Sequence, residues 1–212
     1  YRSGVGLATL GIPYSLADAM AAALVETMTL PLPETAAETL SLDALEPALS
    51  FAASKQAVEL LRGAHSLLLA GHVRPDGDCL GSQGALARVL GRLGKKVVVL
   101  NPDPPGRSFD FFVREGPFQV YRGGPLPDHD LCVLLDINDL SRCGALAEPL
   151  ARHPSKKMVI DHHVPHGAPW WDGAFVDVRA EATGLLVARI ARALDVPLDL
   201  QSGTAVFAAL VT

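Results

Sequence analysis

The sequence predicts an α/β domain: a doubly wound, mainly parallel sheet with helices on both faces, preceded by a helical N-terminal extension. Short apolar runs alternate with helix-like segments from about residue 63 onward. Strands that are apolar throughout are typical of parallel sheets, because helices cover both faces of such a sheet. Three of the runs end in histidine or aspartate, and open α/β sheets bind their ligands at the carboxyl ends of the strands.

The first 40 residues (1–40) differ from the rest and predict the helical extension, to which we assign no chemistry. Four apolar residues recur at four-residue spacing and give one stripe along a helix: Leu16, Met20, Leu24 and Met28. Prolines and a Thr/Glu-rich stretch at 31–39 predict a linker. A second helix is expected at 41–62, with Gly63 at its C-terminal end and Pro47 breaking or bending its first half.

From residue 66 onward, apolar runs and turn residues predict alternating strands and helices. Strands are expected at 66–70, 96–100, 119–121, 131–135, 157–160 and 174–178. Helices are expected at 80–93, 109–113, 141–152, 180–194 and from about residue 201 onward. Gly94 favours the end of the first of these helices, and we expect Pro149 to break the third.

The amino-acid composition indicates a folded domain and argues against a protein that coats long duplex DNA. With 212 residues, of which 49% are hydrophobic and 19% charged, the chain can bury a core and is not disordered in bulk. A net charge of −5 argues against a basic surface that coats long duplex DNA. A nucleotide substrate stays compatible with this charge, because bound divalent cations reverse the local potential.

The cysteines and the apolar runs bear on the compartment. Three cysteines without a C-x-x-C pair are typical of a reducing environment, so we expect a cytoplasmic location. The apolar runs are all shorter than a membrane span, so we expect no membrane partner.

A first cluster of polar residues, His72, Asp76 and Asp78, follows the first predicted strand. The connection into the next helix is short, so these side chains can converge, and Gly77 allows a tight backbone path. Two carboxylates this close repel each other unless a cation lies between them. An alternative stays open at this point, in which Asp78 caps the helix that follows.

Two further strands end in residues of the same kinds. Asp136 follows the fourth predicted strand, where an Asx-turn is the alternative interpretation. Asp161, His162 and His163 follow the fifth. Imidazoles beside carboxylates suit first-row divalent metals.

Taken together, at least two histidines and three carboxylates are expected at one edge of the sheet. This set exceeds the four ligands of a tetrahedral zinc ion and suits two metals bridged by a carboxylate. A bridging water would be deprotonated near neutral pH and act as nucleophile, while two cations would neutralise the phosphoryl oxygens. The residues therefore predict metal-assisted hydrolysis of a phosphoester.

These motifs resemble those of the DHH phosphoesterase superfamily, which includes RecJ-like proteins, over about residues 52–212. Motif one is GHVRPDGDCLGS at 71–82, motif two is DINDLSRCG at 136–144 and motif three is VIDHH at 159–163. The form PDGDxxGS, followed by KVVVLNPD at 96–103, is similar to the NrnA-type branch. The resemblance implies a hydrolase that degrades very short oligoribonucleotides (nanoRNA), as an exonuclease does, and dephosphorylates 3′-phosphoadenosine 5′-phosphate, with manganese.

The resemblance also implies which residues hold two divalent metal ions, with Mn²⁺ as the expected ion. One ion would be held by His72, Asp76 and Asp136. The other would be held by Asp78, Asp136 and His162, so that Asp136 bridges the two ions.

The expected catalytic residues are Asp136, His163 and Asp161. The resemblance implies that His163 contacts the substrate phosphate and that Asp161 supports the histidines from behind. Arg142 is a candidate for binding phosphate, and the alternative for it is an ion pair with a carboxylate inside the fold.

On this resemblance the chain consists of the extension at 1–40 and a DHH catalytic domain at 41–212. The resemblance implies that this domain stops before its last metal ligand, an Asp expected directly after Thr212, and lacks the C-terminal substrate-binding domain. Leu185 stands where relatives often carry Glu. We therefore expect the chain to bind metal at the first site and to hydrolyse little.

The expected partner is a short oligonucleotide or a nucleotide, and the sequence leaves a homodimer open. Hydrolysis of a cyclic dinucleotide or of a pyrophosphate fits the same motifs. A RecJ-type exonuclease acting on long strands would predict an extended basic groove, whereas this chain is acidic. A non-catalytic nucleotide-binding module is the alternative from another class of function.

Overall fold

The computed structural model describes four parts of the chain: residues 8–16, 27–32, 45–113 and 116–212. The chain divides into two compact units, Tyr1–Ala52 and Ala53–Thr212. The three motifs all lie in the second unit. Among the described residues, every helix is too short or too polar to cross a membrane.

The described part of the first unit contains two short parallel strands, β1 (Ala8–Pro13) and β2 (Thr27–Leu32), with a 3-10 helix at Tyr14–Leu16. The prediction of a helical extension is therefore wrong for the two strands, and the predicted linker overlaps the end of β2. Threonines at alternate positions of β2 favour a strand, and this pattern prevails over the four-residue apolar spacing. The rest of the predicted helix and linker lies outside the described residues.

Helix α1 (Leu45–Gly63) is continuous and ends at Gly63, as predicted. Our expectation that Pro47 breaks this helix is wrong. Pro47 is the third residue of the helix, where a backbone N–H would have no partner inside the helix, so proline is tolerated. Residues 41–44 of the predicted helix lie outside the described part of the chain.

The second unit is built on a six-stranded sheet in which all neighbouring strands are parallel. Its strands are β3 (Ser66–Ala70), β4 (Lys96–Asn101), β5 (Phe118–Val120), β6 (Leu131–Leu135), β7 (Lys156–Asp161) and β8 (Gly173–Val176). Their order across the sheet is β5-β4-β3-β6-β7-β8. The same order occurs in doubly wound sheets that bind dinucleotides. The predicted α/β fold class is confirmed.

The direction of winding reverses between β3 and β6. The chain first moves outward from β3 to β4 and β5, and then returns to the other side of β3 with β6, β7 and β8. The connections that leave the carboxyl ends of β3 and β6 therefore diverge and open a crevice, which is where such sheets bind ligands.

Helices cover both faces of the sheet. Five follow α1 along the described chain: α2 (Gly77–Arg92), α3 (Asp110–Val113), α4 (Ala147–Arg152), α5 (Thr183–Ala193) and α6 (Leu200–Leu210). Leu67, Leu69 and Val133 point to the face covered by α1, α2, α5 and α6. Leu68 and Leu134 point to the opposite face, which is covered by α4 and the residues that precede it. Alternate residues of each strand are thus buried on opposite sides.

The segment predicted as one helix at 141–152 is a 3-10 helix, Leu140–Leu146, followed by α4, and the break lies at Gly144 rather than Pro149. Gly144 has φ 54° and ψ −124°, a conformation that favours glycine. Pro149 is the third residue of α4 and is tolerated for the same reason as the proline of α1. A Cβ on residue 144 would lie 2.6 Å from Cγ1 of Val73, so the loops of motifs one and two are in close contact.

Candidate metal centre

Three loops meet at the carboxyl ends of β3, β6 and β7, because β6 lies between the other two strands. Asp136 directly follows β6 and is 3% exposed. Its φ of 63° lies in the left-handed region, which is uncommon for a residue with a side chain. Its N–H donates to the carbonyl of Ile160 in β7 at 3.0 Å. Backbone held in such a conformation by its surroundings is frequent at functional sites.

His72 presents one ring nitrogen to two carboxylates. Its Nδ1 lies 2.8 Å from the carbonyl oxygen of Val73, and since a carbonyl only accepts, Nδ1 carries the hydrogen. Its Nε2 lies 3.4 Å from Asp136 Oδ2 and 3.7 Å from Asp76 Oδ1. In the neutral form of the ring, which is the form that binds metals, the lone pair of Nε2 therefore points into the space between these two carboxylates.

His162 has the same arrangement on the other side of Asp136. Its Nδ1 lies 3.0 Å from the carbonyl oxygen of Ala180. Its Nε2 lies 3.6 Å from Asp136 Oδ1 and 3.5 Å from Asp78 Oδ2. Asp136 thus faces His72 with one carboxylate oxygen and His162 with the other. Imidazoles that ligate metals typically donate their second N–H to a carbonyl or carboxylate in this way.

The spacing of these atoms fits divalent ions. Two ligand atoms about 2.1 Å from one ion are about 3.0 Å apart at an angle of about 90° and about 3.4 Å apart at a tetrahedral angle. The separations of 3.4–3.7 Å between the imidazole nitrogens and the carboxylates are at or slightly above these values. Small inward movements of side chains would suffice to coordinate an ion on either side of Asp136.

Two groups of potential ligand atoms lie within 4.8 Å of one another: His72 with Asp76 and Asp136, and Asp136 with His162 and His163. The first group consists of the residues that we predicted for the first metal. The second contains His163 where we predicted Asp78. However, His163 Nδ1 donates to Asp161 Oδ1 at 2.8 Å and lies 3.7 Å from Asp136 Oδ1, so this nitrogen has no lone pair for a metal.

Asp78 lies in the first turn of α2 and is 8% exposed. The interpretation that it caps α2 is wrong, because Asp76 is the N-cap and accepts the N–H of Cys79 at 3.1 Å. The carboxylate of Asp78 instead accepts the backbone N–H groups of Thr183 and Gly184 at the start of α5. Burial, and next the charge of Asp136, raise the pKa of Asp78 to about 6.

The charges of the cluster favour a bound cation. Burial of His72 lowers its pKa, but the contacts with Asp136 and Asp76 outweigh burial and raise the pKa to about 10. The contact with His72 is also the main cause that lowers the pKa of Asp76 to about 2. The His72 imidazolium is therefore the positive charge that balances these carboxylates in the metal-free protein, and a divalent ion would replace its proton.

Asp161, the last residue of β7, holds the histidine pair from inside the protein and is 0% exposed. Its Oδ1 accepts the backbone N–H of His162 at 2.8 Å and that of His163 at 3.2 Å, in addition to His163 Nδ1. The side chain of His163 is 48% exposed. Asp161 thus contacts no open space and fixes the ring of His163 at the rim of the crevice.

Residues 66–210 match the DHH family, N-terminal domain. This chain belongs to the DHH family. The resemblance inferred from the three motifs is therefore confirmed. Members of the DHH family are phosphoester hydrolases, and this general activity is the one that the family membership supports.

Relatives of this DHH domain include the bifunctional oligoribonuclease and PAP phosphatase NrnA of Bacillus subtilis (strain 168). The two are 29% identical over 126 residues, which is 58% of this chain and 36% of NrnA. An exopolyphosphatase-related protein from Bacteroides fragilis has a similar fold, with a TM-score of 0.68 and 20% identity over 76% of this chain and 49% of that one. RecJ from Thermus thermophilus, solved in complex with Mn²⁺, has a TM-score of 0.44 and 19% identity over 73% of this chain and 23% of RecJ. The chain spans about a third of NrnA and half of the exopolyphosphatase-related protein.

Two residues of the DHH domain contact the cluster although we did not predict a role for them. Asn138 Nδ2 donates to Asp161 Oδ2 at 2.6 Å and to the carbonyl of His163 at 3.2 Å, so it joins motif two to motif three. Thr183 Oγ1 donates to Asp136 Oδ1 at 3.2 Å. Asn138 lies within motif two, two residues after Asp136, and Thr183 lies in the segment Ala182-Thr183-Gly184, which also fits the family, but neither match indicated a role for the side chain.

Arg142 is exposed, and among the residues that the structure describes its guanidinium forms no ion pair, so the alternative of a pair inside the fold is not favoured. Its backbone carbonyl accepts the N–H of Val73 at 2.8 Å, which joins motif two to motif one. Its charge is one of the causes, after hydrogen bonds from Ser141, that lower the pKa of Asp139. The guanidinium is thus available at the surface beside the motif-two loop.

Proposed function

We propose that this chain is the catalytic part of a metal-dependent phosphoesterase that hydrolyses short oligoribonucleotides, 3′-phosphoadenosine 5′-phosphate, or both, through a two-metal site. The observation that carries the proposal is the position of Asp136 between two imidazoles, each with its Nδ1–H on a backbone carbonyl and its Nε2 facing a carboxylate oxygen. The similarity to NrnA supports the class of substrate.

The arrangement of the side chains supports two ion positions, one on either side of Asp136. We propose that His72, Asp76 and Asp136 hold one ion, and that Asp78, Asp136 and His162 hold the other. Two divalent ions in such a site lower the pKa of bound water and neutralise phosphoryl oxygens. Mn²⁺ is our expected ion, as the resemblance to the NrnA-type branch implies, and the mixed imidazole and carboxylate donors are compatible with it.

The remaining residues act on the substrate or on the histidines. We propose that the exposed ring of His163 contacts a substrate phosphate through Nε2, since its Nδ1 is already bound to Asp161. The exposed guanidinium of Arg142 would bind a second phosphate oxygen or a neighbouring phosphate. Asp161 keeps both histidines in place and does not contact the substrate.

The acidic character of the cluster makes the activity dependent on metal. Asp76, Asp78 and Asp136 would repel a phosphate in the absence of cations, because three carboxylates surround the position where it must bind. We therefore expect a chelator to abolish both substrate binding and hydrolysis. A non-catalytic nucleotide-binding module would lose affinity on removal of metal but would show no turnover at any metal concentration.

The proposal is tested by single-turnover hydrolysis with the protein in excess over substrate, which detects a weak activity. A 5′-phosphorylated diribonucleotide, 3′-phosphoadenosine 5′-phosphate and a cyclic dinucleotide are compared in Mn²⁺ and in chelator. We expect release of mononucleotide from the first and of phosphate from the second, in Mn²⁺ only. Asp136→Asn should lower both rates by orders of magnitude, because one carboxylate serves both ions.

The matched control is Asp130→Asn. The carboxylate of Asp130 accepts the backbone N–H groups of His65 and Ser66 at the amino end of β3, the opposite end of the strand from the metal centre. This variant should retain the wild-type rates. Hydrolysis of the cyclic dinucleotide alone would redirect the proposal to the alternative substrate, and absence of hydrolysis of all three in Mn²⁺ would refute it.

A further inference from the structure

Asp177 is a buried carboxylate that lies outside the three motifs, directly after β8. It is 6% exposed. Its Oδ2 accepts a hydrogen bond from the guanidinium of Arg189 in α5 at 2.8 Å. Its Oδ1 accepts the backbone N–H of Arg179 at 3.1 Å, and the Nε of the same arginine lies 3.5 Å away. A carboxylate buried with this many partners fixes the backbone around it.

The backbone that Asp177 fixes is a tight turn. The N–H of Ala180 donates to the carbonyl of Asp177 at 3.0 Å, which closes a turn over residues 177–180. The N–H of Asp177 donates to the carbonyl of Asp161 at 3.2 Å, which ties the start of the turn to the end of β7. Ala180, the last residue of this turn, is therefore held next to the end of β7, where its carbonyl faces His162.

The Ala180 carbonyl holds only one of the two histidines that face the proposed ions. His162 Nδ1 donates to the Ala180 oxygen, 18 residues further along the chain. His72 Nδ1, in contrast, donates to the carbonyl of the next residue, Val73. Loosening of the 177–180 turn should therefore affect His162 and leave His72 unchanged.

We propose that Asp177 is a positioning residue for His162. It locks the 177–180 turn so that the Ala180 carbonyl holds the Nδ1–H form of the imidazole, which leaves Nε2 free to bind an ion between Asp78 and Asp136. This inference rests on the two-metal function proposed above. Removal of such an outer partner of a ligating histidine typically weakens metal binding about 10–100-fold.

The test measures two properties of the 212-residue chain. Long-range ¹H–¹⁵N correlation of the imidazoles in metal-free protein reports which nitrogen carries the hydrogen, and titration with Mn²⁺ reports the affinity of each ion position. In Asp177→Ala we expect His162 to become a mixture of both ring forms and the ion position of His162 to lose about 10–100-fold in affinity. His72 and its ion position should stay as in the wild type.

Two variants separate positioning from general loss of structure. Arg189→Lys preserves a cation toward Asp177 and should retain most of the wild-type behaviour of His162, whereas Arg189→Gln should reproduce part of the loss. Asp130→Ala removes a carboxylate that also accepts two backbone N–H groups, at the other end of the sheet, and should change neither imidazole. If Asp177→Ala does not fold, Asp177→Asn and Arg189→Gln give the same two measurements.

An unchanged ring form of His162 in a folded Asp177 variant would overturn the inference. An equal loss at both ion positions would also overturn it, because it would indicate a general structural role. If the wild type binds no Mn²⁺, the proposed function fails, but the ring form of His162 still decides whether Asp177 positions it.

Discussion

Asp78, in the first turn of α2, accepts the backbone N–H of Thr183, the first residue of α5, at 2.8 Å. The two residues are 105 positions apart in the sequence. The N-cap position of α5 is Ala182, which has no side-chain cap to offer, so Asp78 satisfies N–H groups that this helix start would otherwise leave without a side-chain acceptor. Motif one and α5 are thereby joined beside Asp136.

Burial of Asp78 predicts that the metal-free protein loses stability as pH rises. Its pKa is raised to about 6, first by burial and then by the charge of Asp136. A carboxyl with a raised folded-state pKa loses stability as pH rises from its unfolded pKa to its folded pKa. Between about pH 4 and about pH 6, in chelator, the free energy of unfolding of Asp78→Asn should therefore improve relative to the wild type, by on the order of 2–3 kcal/mol. Urea unfolding at a series of pH values measures this difference.

Asp199→Asn is the control for that experiment, because Asp199 caps α6 and its pKa is lowered by Ser202. A carboxyl with a lowered pKa gives stability above its unfolded pKa, so this variant should not improve as pH rises through the same window. Excess Mn²⁺ should reverse the trend for Asp78→Asn, since the wild type then binds an ion with the ionised carboxylate. A difference from the wild type that is independent of pH would contradict the prediction.

The geometry around Asp136 also predicts that the two ion positions can be removed separately. His72→Ala should eliminate the position next to Asp76, and His162→Ala the position next to Asp78, and each variant should leave the other position as it is in the wild type. Asp136→Asn should weaken both, because its two oxygens face the two imidazoles. Mn²⁺ binding followed by electron paramagnetic resonance gives the stoichiometry. Loss of both ions in either histidine variant would indicate that the positions are not independent.

The sheet and the strand-end residues follow from the sequence for a simple reason. Strands buried on both faces are continuous apolar runs bounded by turn residues, so Ser66–Ala70 and Leu131–Leu135 lie at the predicted positions. Parallel strands place their carboxyl ends at one edge. The meeting of His72, Asp136 and His162 is a consequence of that topology.

Other features depend on contacts that no local pattern contains. The partner of Asp78 is a helix start 105 residues away, so the sequence near Asp78 did not reveal it and left a cap of its own helix open as an alternative. The prolines of α1 and α4 resemble helix breakers, but both occupy a first turn, where their missing N–H costs nothing. The strand β2 escaped prediction because a four-residue apolar spacing competed with alternating threonines.

The short distance between residue 144 and Val73 predicts that a larger residue in place of Gly144 lowers the affinity for metal as well as the stability of the fold. Gly144→Ala introduces a Cβ at φ 54° and within 2.6 Å of Val73 Cγ1, and the carbonyl of Val73 holds His72. We expect a loss of stability of about 1–3 kcal/mol from the backbone alone, with a weaker first ion position in addition. Gly94→Ala is the matched control, since Gly94 has φ 75° but no atom within 4 Å of an added Cβ. Equal Mn²⁺ affinity in the two variants would show that the Val73 contact does not matter.

We expect the free energy of unfolding to depend strongly on the charge of the side chain at position 138, next to the histidine pair. It is 6% exposed and donates to the carboxylate of Asp161, which is 0% exposed. Asn138→Ala leaves that buried oxygen without its donor, at a cost of roughly 1–3 kcal/mol, whereas Asn138→Asp opposes two carboxylates and should cost more, increasingly so as pH rises. The control pair is Asn101→Ala and Asn101→Asp, because Asn101 is also buried but exchanges hydrogen bonds with the neutral amide of Gln83. Urea unfolding should give a larger difference between Asp and Ala at position 138 than at position 101. Equal differences at the two positions would contradict the prediction, because they would show that the contact with Asp161 does not make position 138 sensitive to charge.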